Sequence, residues 1–312
     1  MSARRVVALR ALGLGDLLTG VPALRALRRA YPEHRITLAA PAALAPLAEL
    51  TGAVDETVDA VPLAPLDRRL HGAAVAVNLH GRGPQSHRIL LAARPGRLIA
   101  FSPSGVVWRA GEHEVVRWCR LLEESGIPAG PRDLRVAAPD ADSPAPGATV
   151  IHPGAASEAR RWLAERWAAV ARAERGEGRE VVVTGSAGER ALAERVARAA
   201  GLPDSAVLAG RTSLLELAAL IAEAGRVACG DTGVAHLATA FGTPSVVLFG
   251  PTPPDEWGPP DNGRHTVLWA GRRGDPHGSQ RDRGLLEIRV PAVLDALAAL
   301  PAARFDPAPL GR

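Results

Sequence analysis

ACGDTGVAHLATAFGTPSVVLFGPT, residues 228–252, reads as strand, polar turn, helix, turn and strand. Apolar residues lead into Gly230, and Asp231-Thr232-Gly233 form the turn. Residues 234–241 repeat their apolar positions at helical spacing, Gly242 stops the helix, and residues 245–249 are a β-branched apolar run. The turn is also a binding device. The N–H groups and positive dipole end of the helix favour an anion such as a diphosphate, and Gly230 and Gly233 let a ligand approach the backbone. Asp231 either faces sugar hydroxyls or orders the turn, Asp231 or Thr232 can act as the helix N-cap, and His236 reads either as a donor contact or as a satisfied core histidine. The same DTG letters occur in aspartic proteases, but those need two carboxylates sharing a proton between β-rich lobes, and here one DTG stands in an α/β setting.

Outward from this unit the same alternation runs through the chain twice. The series containing it begins at Thr149, with strands expected at 149–152, 180–185, 206–210, 226–229 and 245–250 and helices at 164–174, 189–200 and 213–224. The earlier series has strands at 5–12, 36–40, 73–79 and 98–101, a GLGD turn, and helices at 17–31 and 112–125. Between them, AAPDADSPAPG at 137–147 reads as a linker. The expectation is an α/β protein with an N-terminal domain at 1–143 and a C-terminal domain at 144–312, each with a parallel sheet, facing each other across a cleft. Ligands in such folds sit at the carboxyl ends of strands, which selects Asp16, His80, residues 152–157, residues 185–189 and residues 231–236.

Composition narrows the class. The chain has 312 residues, 47% of them hydrophobic, enough for two ordinary domains with their own cores. Its formal charge of +4 rests on arginine, since the sequence contains no lysine. The arginines are spread along helices beside glutamates rather than gathered in a basic block, so no nucleic-acid partner is expected, while an anionic substrate is. Cys119 and Cys229 stand in apolar contexts, which argues against a disulfide framework or zinc site and for a reducing compartment. No signal-peptide core develops before Arg10 and Asp16, and the longest uncharged run, 232–254, is broken by His236, glycines and prolines. The expected location is the cytoplasm, and Arg-rich helices beside apolar faces permit peripheral contact with the inner face of the membrane.

Three further motifs fall at strand ends. GLGDLLTGVPAL, from Gly13, puts Asp16 after a tight turn, but its G-x-G-x-x-x-x-G spacing is not that of a dinucleotide fingerprint. Asp16 is either a helix N-cap or a general base for an acceptor hydroxyl. HPGAASEARRWLAERW, 152–167, has a turn from Gly154 to Ser157 able to wrap a phosphate oxygen in backbone N–H groups, followed by Arg160 and Arg161, either a diphosphate clamp or a solvated pair. VVVTGSAGERALAERV, 181–196, sets Gly185 and Glu189 after a strand, where Glu189 holds ribose hydroxyls or favours the helix dipole. Farther back, NLHGRGPQSHRILLAAR from Asn78 offers His80, Arg82 and Ser86 to an acceptor or forms a surface loop.

With these four motifs in this order, the chain resembles glycosyltransferase family 9, the heptosyltransferase-like enzymes. The resemblance runs from GLGDLLTGVPALRALRRAYP through the DTG-to-FGPT stretch. It implies a GT-B fold of two Rossmann-like domains. It also implies inverting, metal-independent transfer of a sugar, typically heptose, from an ADP-linked donor to a glycan or glycolipid, with no cofactor beyond the donor itself. By resemblance Asp16 takes the place of the family's base. Arg160 falls where the family has a lysine on the diphosphate, with Arg161 as the alternative register. Glu189 matches an acidic residue near the ribose, and Asp231, Thr232, Gly233 and His236 match the donor loop. The chain departs from the family in lacking cysteines at 270–290. A non-catalytic nucleotide-sugar-binding protein, or a nucleotide-sugar epimerase or hydrolase, is the alternative function.

Overall fold

The computed structural model describes residues 4–303. The chain divides into two compact units, Met1–Ala137 and Ala138–Arg312, the division falling in the Pro-rich segment.

The first unit contains β1 (Arg5–Leu9), α1 (Leu14–Thr19), α2 (Val21–Ala30), β2 (Arg35–Ala40), α3 (Ala45–Glu49), β3 (Glu56–Asp59), β4 (Val75–Asn78), α4 (Gln85–Ala92), β5 (Arg97–Ile99) and α5 (Glu114–Glu123). Its five parallel strands lie in the order β3-β2-β1-β4-β5. The central strand β1 buries Val6, Val7, Ala8 and Leu9, as a strand covered on both faces must. Strand order reverses between β1 and β4, where adjacent loops leave in opposite directions and a crevice opens beyond the carboxyl ends.

Two expectations are corrected here. The helix expected at 17–31 begins at Leu14 and is interrupted at Gly20. Pro22 has no N–H to give the Leu18 carbonyl, which breaks the ladder. Asp16 is therefore the third residue of α1 and not its N-cap, a place taken by Gly13. Strand β3 lay outside the expectation because ETVD buries only Val58 and exposes or half-exposes its other side chains at the sheet edge. Helices α3 and α4 also lay outside the expectation, α4 forming where the stretch from Asn78 was read as acceptor contacts or a surface loop, while β1, β2, β4, β5 and α5 stand close to their expected positions.

The second unit contains β6 (Thr149–His152), α6 (Ala164–Gly176), β7 (Val181–Val183), α7 (Arg190–Ala200), α8 (Leu214–Ala222), β8 (Arg226–Gly230), α9 (Gly233–Phe241), β9 (Ser245–Phe249), α10 (Pro254–Trp257), β10 (His265–Trp269), α11 (Arg283–Glu287) and α12 (Val290–Ala298). Its parallel order is β10-β9-β8-β6-β7, with the reversal between β6 and β8. Residues 206–210 are not a full strand and make a single bridge, Val207 to Val183. The fifth strand is β10, whose half-buried residues gave no clean apolar run. Gly242 ends α9 in the left-handed conformation, φ 71°, which costs glycine nothing.

The core of this unit gathers β6–β9 with α6, α7 and α12. Trp162 and Trp167 meet edge to face at 4.8 Å, and Trp162 Nε1 donates to the Ile288 carbonyl at 3.1 Å, fixing the closing helices against α6. No helix among the described residues is long and apolar enough to cross a membrane.

Candidate functional site

In the second unit the loops after β6 and β8, the two strands flanking the reversal, lie against each other. Gly230 ends β8 so close to the backbone that an added Cβ would stand 3.3 Å from the Arg160 carbonyl. This brings Arg160 to Asp231: its Nη1 donates to the Asp231 carbonyl at 3.4 Å and stands 3.7 Å from Oδ2 of the carboxylate. Nε of Arg160 and Oγ1 of Thr232 are both buried without a hydrogen-bond partner. Thr232 occupies the N-cap position of α9 in extended conformation but makes no side-chain cap bond. Gly233 is the first residue of that helix, and His236, one turn on, packs edge to face on Trp257 with ring centroids 5.9 Å apart. A guanidinium, a helix N-terminus and two buried polar atoms lacking partners form a site suited to a diphosphate.

Arg161 is held differently. Its Nε donates to the Ala155 carbonyl at 3.0 Å and its Nη1 meets Glu158 at 3.4 Å, so it braces its own loop. Ser157 donates its hydroxyl to the Pro276 carbonyl at 2.6 Å. With the Ala159–Gly278 and Asp282–Ala159 backbone bonds, this straps the segment after β10 onto the Gly154–Arg161 loop.

Glu189 stands at the end of the β7 loop. Its Oε2 accepts from the Ser186 amide and hydroxyl, both at 2.8 Å, and a Cβ on Gly154 would overlap its carboxylate. Only glycine at 154 allows these two loops to close together. Gly185 is packed under the same side chain, with Glu189 Cβ 3.2 Å from where its own would be. Burial lowers the pKa of His152, against a smaller opposing effect of Glu189, so its neutral ring pairs with Thr184 Oγ1 at 3.0 Å.

Burial raises the Asp231 carboxyl from the usual 3.8 to about 6, although Arg160 opposes it. The native state thus holds this proton more tightly than the unfolded chain. Stability from this group is full below about pH 4 and is lost as pH rises through about 6. Against Asp231→Asn, the parent should lose on the order of 2–3 kcal/mol between those limits. Denaturant unfolding of both chains from pH 4 to 7 measures this, and parallel profiles would show that Asp231 titrates normally.

In the first unit, Asp16 and His80 lie beyond the carboxyl ends of β1 and β4, on either side of the reversal. Asp16 Oδ2 accepts the Gly13 N–H at 3.2 Å, the acidic half of a capping box. The His80 amide donates to Asn78 Oδ1 at 3.0 Å, and Asn78 Nδ2 donates to the Gly81 carbonyl and Ser86 Oγ. This accounts for Ser86, which is buried. Burial first, and then the Arg10 charge, lower the His80 pKa, with Asp16 acting in the opposite sense.

The residue the sequence reading missed is Arg10. It is 1% exposed and touches Asp16, Thr19, Leu79 and Glu114. A trace of it is visible in the sequence: a charge directly after the apolar strand RVVAL, three residues before Gly13. Both cysteines are free and buried.

Residues 93–283 match Glycosyltransferase family 9 (heptosyltransferase). The chain is 34% identical over 154 residues to lipopolysaccharide heptosyltransferase 3 of Escherichia coli, covering 48% of this chain and 45% of that protein, so the match spans less than half of the relative's length. Among solved structures, E. coli ADP-heptose lipopolysaccharide heptosyltransferase II is 22% identical with a TM-score of 0.76, over 95% of this chain and 98% of that one. An E. coli heptosyltransferase solved with ADP is 16% identical with a TM-score of 0.70, over 94% and 99%. These likenesses give the two parallel-sheet units the GT-B class. By its family match over more than half its length, the chain belongs to glycosyltransferase family 9, the heptosyltransferases.

Proposed function

We propose that the chain is a glycosyltransferase that moves a heptose-like sugar from an ADP-linked donor to a hydroxyl of a glycan or glycolipid, with inversion and without a metal. The observation that carries this reading is the meeting of Arg160 with the Asp231–Gly233 turn at the β6/β8 reversal, where buried Arg160 Nε and Thr232 Oγ1 lack partners. There Arg160 and the N-terminus of α9 offset the charge that grows on the leaving diphosphate. Gly154 and Gly185 keep the Glu189 loop closed at the nucleoside side, Ser157 and Arg161 hold the phosphate loop in shape, and Asp231 and His236 face the sugar. Asp16 takes the acceptor proton as the hydroxyl attacks the anomeric carbon opposite the leaving group. Inversion follows from that single displacement, and the guanidinium does the electrostatic work otherwise given to a metal. The ADP assignment is supported by the relative solved with ADP and by the ADP-heptose enzyme of the same fold. The reaction is placed in the cytoplasm, with peripheral membrane contact where the acceptor is a glycolipid.

Calorimetric titration of the full chain with ADP-, GDP-, UDP- and dTDP-linked sugars tests the donor. ADP-heptose is expected to bind tightest, and transfer onto heptose-free lipopolysaccharide to follow. Tighter binding of another nucleotide overturns the ADP assignment, and binding of none overturns the donor site.

A further inference from the structure

A guanidinium taken fully out of water is costly unless its N–H groups are paired. Arg10, with no side-chain exposure, meets that demand with four hydrogen bonds. Nε donates to the Asp16 carbonyl, Nη1 to the Leu79 carbonyl, and Nη2 to Thr19 Oγ1 at 2.9 Å and Glu114 Oε1 at 3.0 Å. Nη2 also stands 3.8 Å from Oδ1 of the Asp16 carboxylate. Its partners come from different segments: α1 after β1, the residue preceding His80 after β4, and α5. One planar group therefore ties together both sides of the β1/β4 reversal.

Arg10 is itself held in place. Glu114 is buried, also accepts from Trp118 Nε1 at 2.7 Å and pairs with Arg117, and the Arg10 guanidinium lies 5.0 Å from the centre of the Trp118 ring. On the other side Gly20 leaves the room Arg10 needs, since a Cβ there would come 3.0 Å from its Cδ and Nε. A buried ion pair of this kind is weak evidence for stability, because apolar groups of similar volume often serve as well. What an apolar residue cannot do is donate to Asp16 and Leu79 at once.

We infer that Arg10 is a positioning residue, whose buried guanidinium fixes the Asp16 carboxylate and the His80 loop in one geometry at the acceptor side. This rests on the reading of Asp16 as base.

The test is a double-mutant cycle on the full chain, with ADP-heptose and heptose-free lipopolysaccharide as substrates, below the melting temperature of each variant. Arg10→Lys keeps a cation opposite Glu114 but cannot span Asp16, Leu79 and Thr19 together. It is expected to lower kcat by about 10–100-fold, the scale of a misplacement near 1 Å, while ADP-heptose affinity stays within about twofold. Added to Asp16→Asn it should lower kcat by no more than about twofold further, because its effect passes through that carboxylate. A purely structural Arg10 would give losses that multiply, and that outcome, or a single-variant kcat within about twofold of the parent, overturns the proposal. Asp16→Asn by itself decides the base reading: near-parent transfer there removes Asp16, and with it the positioning role. If Arg10→Lys does not fold, Glu114→Gln decides, since its amide oxygen can still accept from Arg10 and Trp118 while the charge opposite Arg10 and the bond from Arg117 are lost. A kcat about 3–10-fold lower, without further loss in the Asp16→Asn background, supports the assignment, and an unchanged kcat refutes it.

Discussion

Asp16→Asn is expected to lower sugar transfer by about 10²–10⁴-fold while the protein stays folded and binds donor almost as before. Asparagine keeps an oxygen able to accept the Gly13 N–H, so the start of α1 retains its capping bond. It loses the charge 3.8 Å from Arg10, but Glu114 remains against that guanidinium at 3.0 Å, which limits the stability loss to about 1 kcal/mol. The amide cannot take a proton from the acceptor hydroxyl. The proposed donor contacts lie in the other unit, so donor affinity is expected to hold. Transfer rate, melting temperature and ADP-heptose affinity of the variant, measured together, separate catalysis from capping. Near-normal transfer would turn attention to His80, whose ring burial keeps neutral and able to accept a proton.

Arg160→Ala should weaken donor binding by about 1.5–3 kcal/mol, the scale of a hydrogen bond to a charged group. Arg160 is the cation placed on Asp231, and no other described basic group forms an ion pair with that carboxylate. Its removal also leaves the Asp231 carboxyl buried with no cation, which pushes it further toward its neutral form. Arg161→Ala should cost donor affinity much less, because Arg161 spends its N–H groups on Ala155 and Glu158. Titration of ADP-heptose into both variants reads the order. The reverse order would assign the diphosphate contact to Arg161, and two negligible effects would make the pair a surface feature.

How much of this was legible in the sequence depends on how local the cause is. Gly242 as a helix stop, the β-branched run of β9 and the glycine turn before α9 depend on a few adjacent residues, and each was read where it stands. The short strands β3 and β10 were not, because an edge strand needs no continuous apolar run and its pattern merges with that of a loop. The start of α1 was misplaced for a related reason: glycine caps by its backbone, which leaves no side-chain signal, while Asp16 carries the letter of a cap and acts from the third helical position.

The sequence by itself determined the two α/β series, their two parallel sheets, and the glycine turns at the strand ends, since periodicity, glycine and proline act over a few residues. Only the tertiary structure decided which arginine of the pair meets Asp231, because that choice depends on how closely Gly230 lets two loops from separate strands approach. It also decided the place of Arg10. A charge beside an apolar strand reads as a solvated end until residues from far along the chain, Leu79 and Glu114, are folded around it and supply the partners its burial requires.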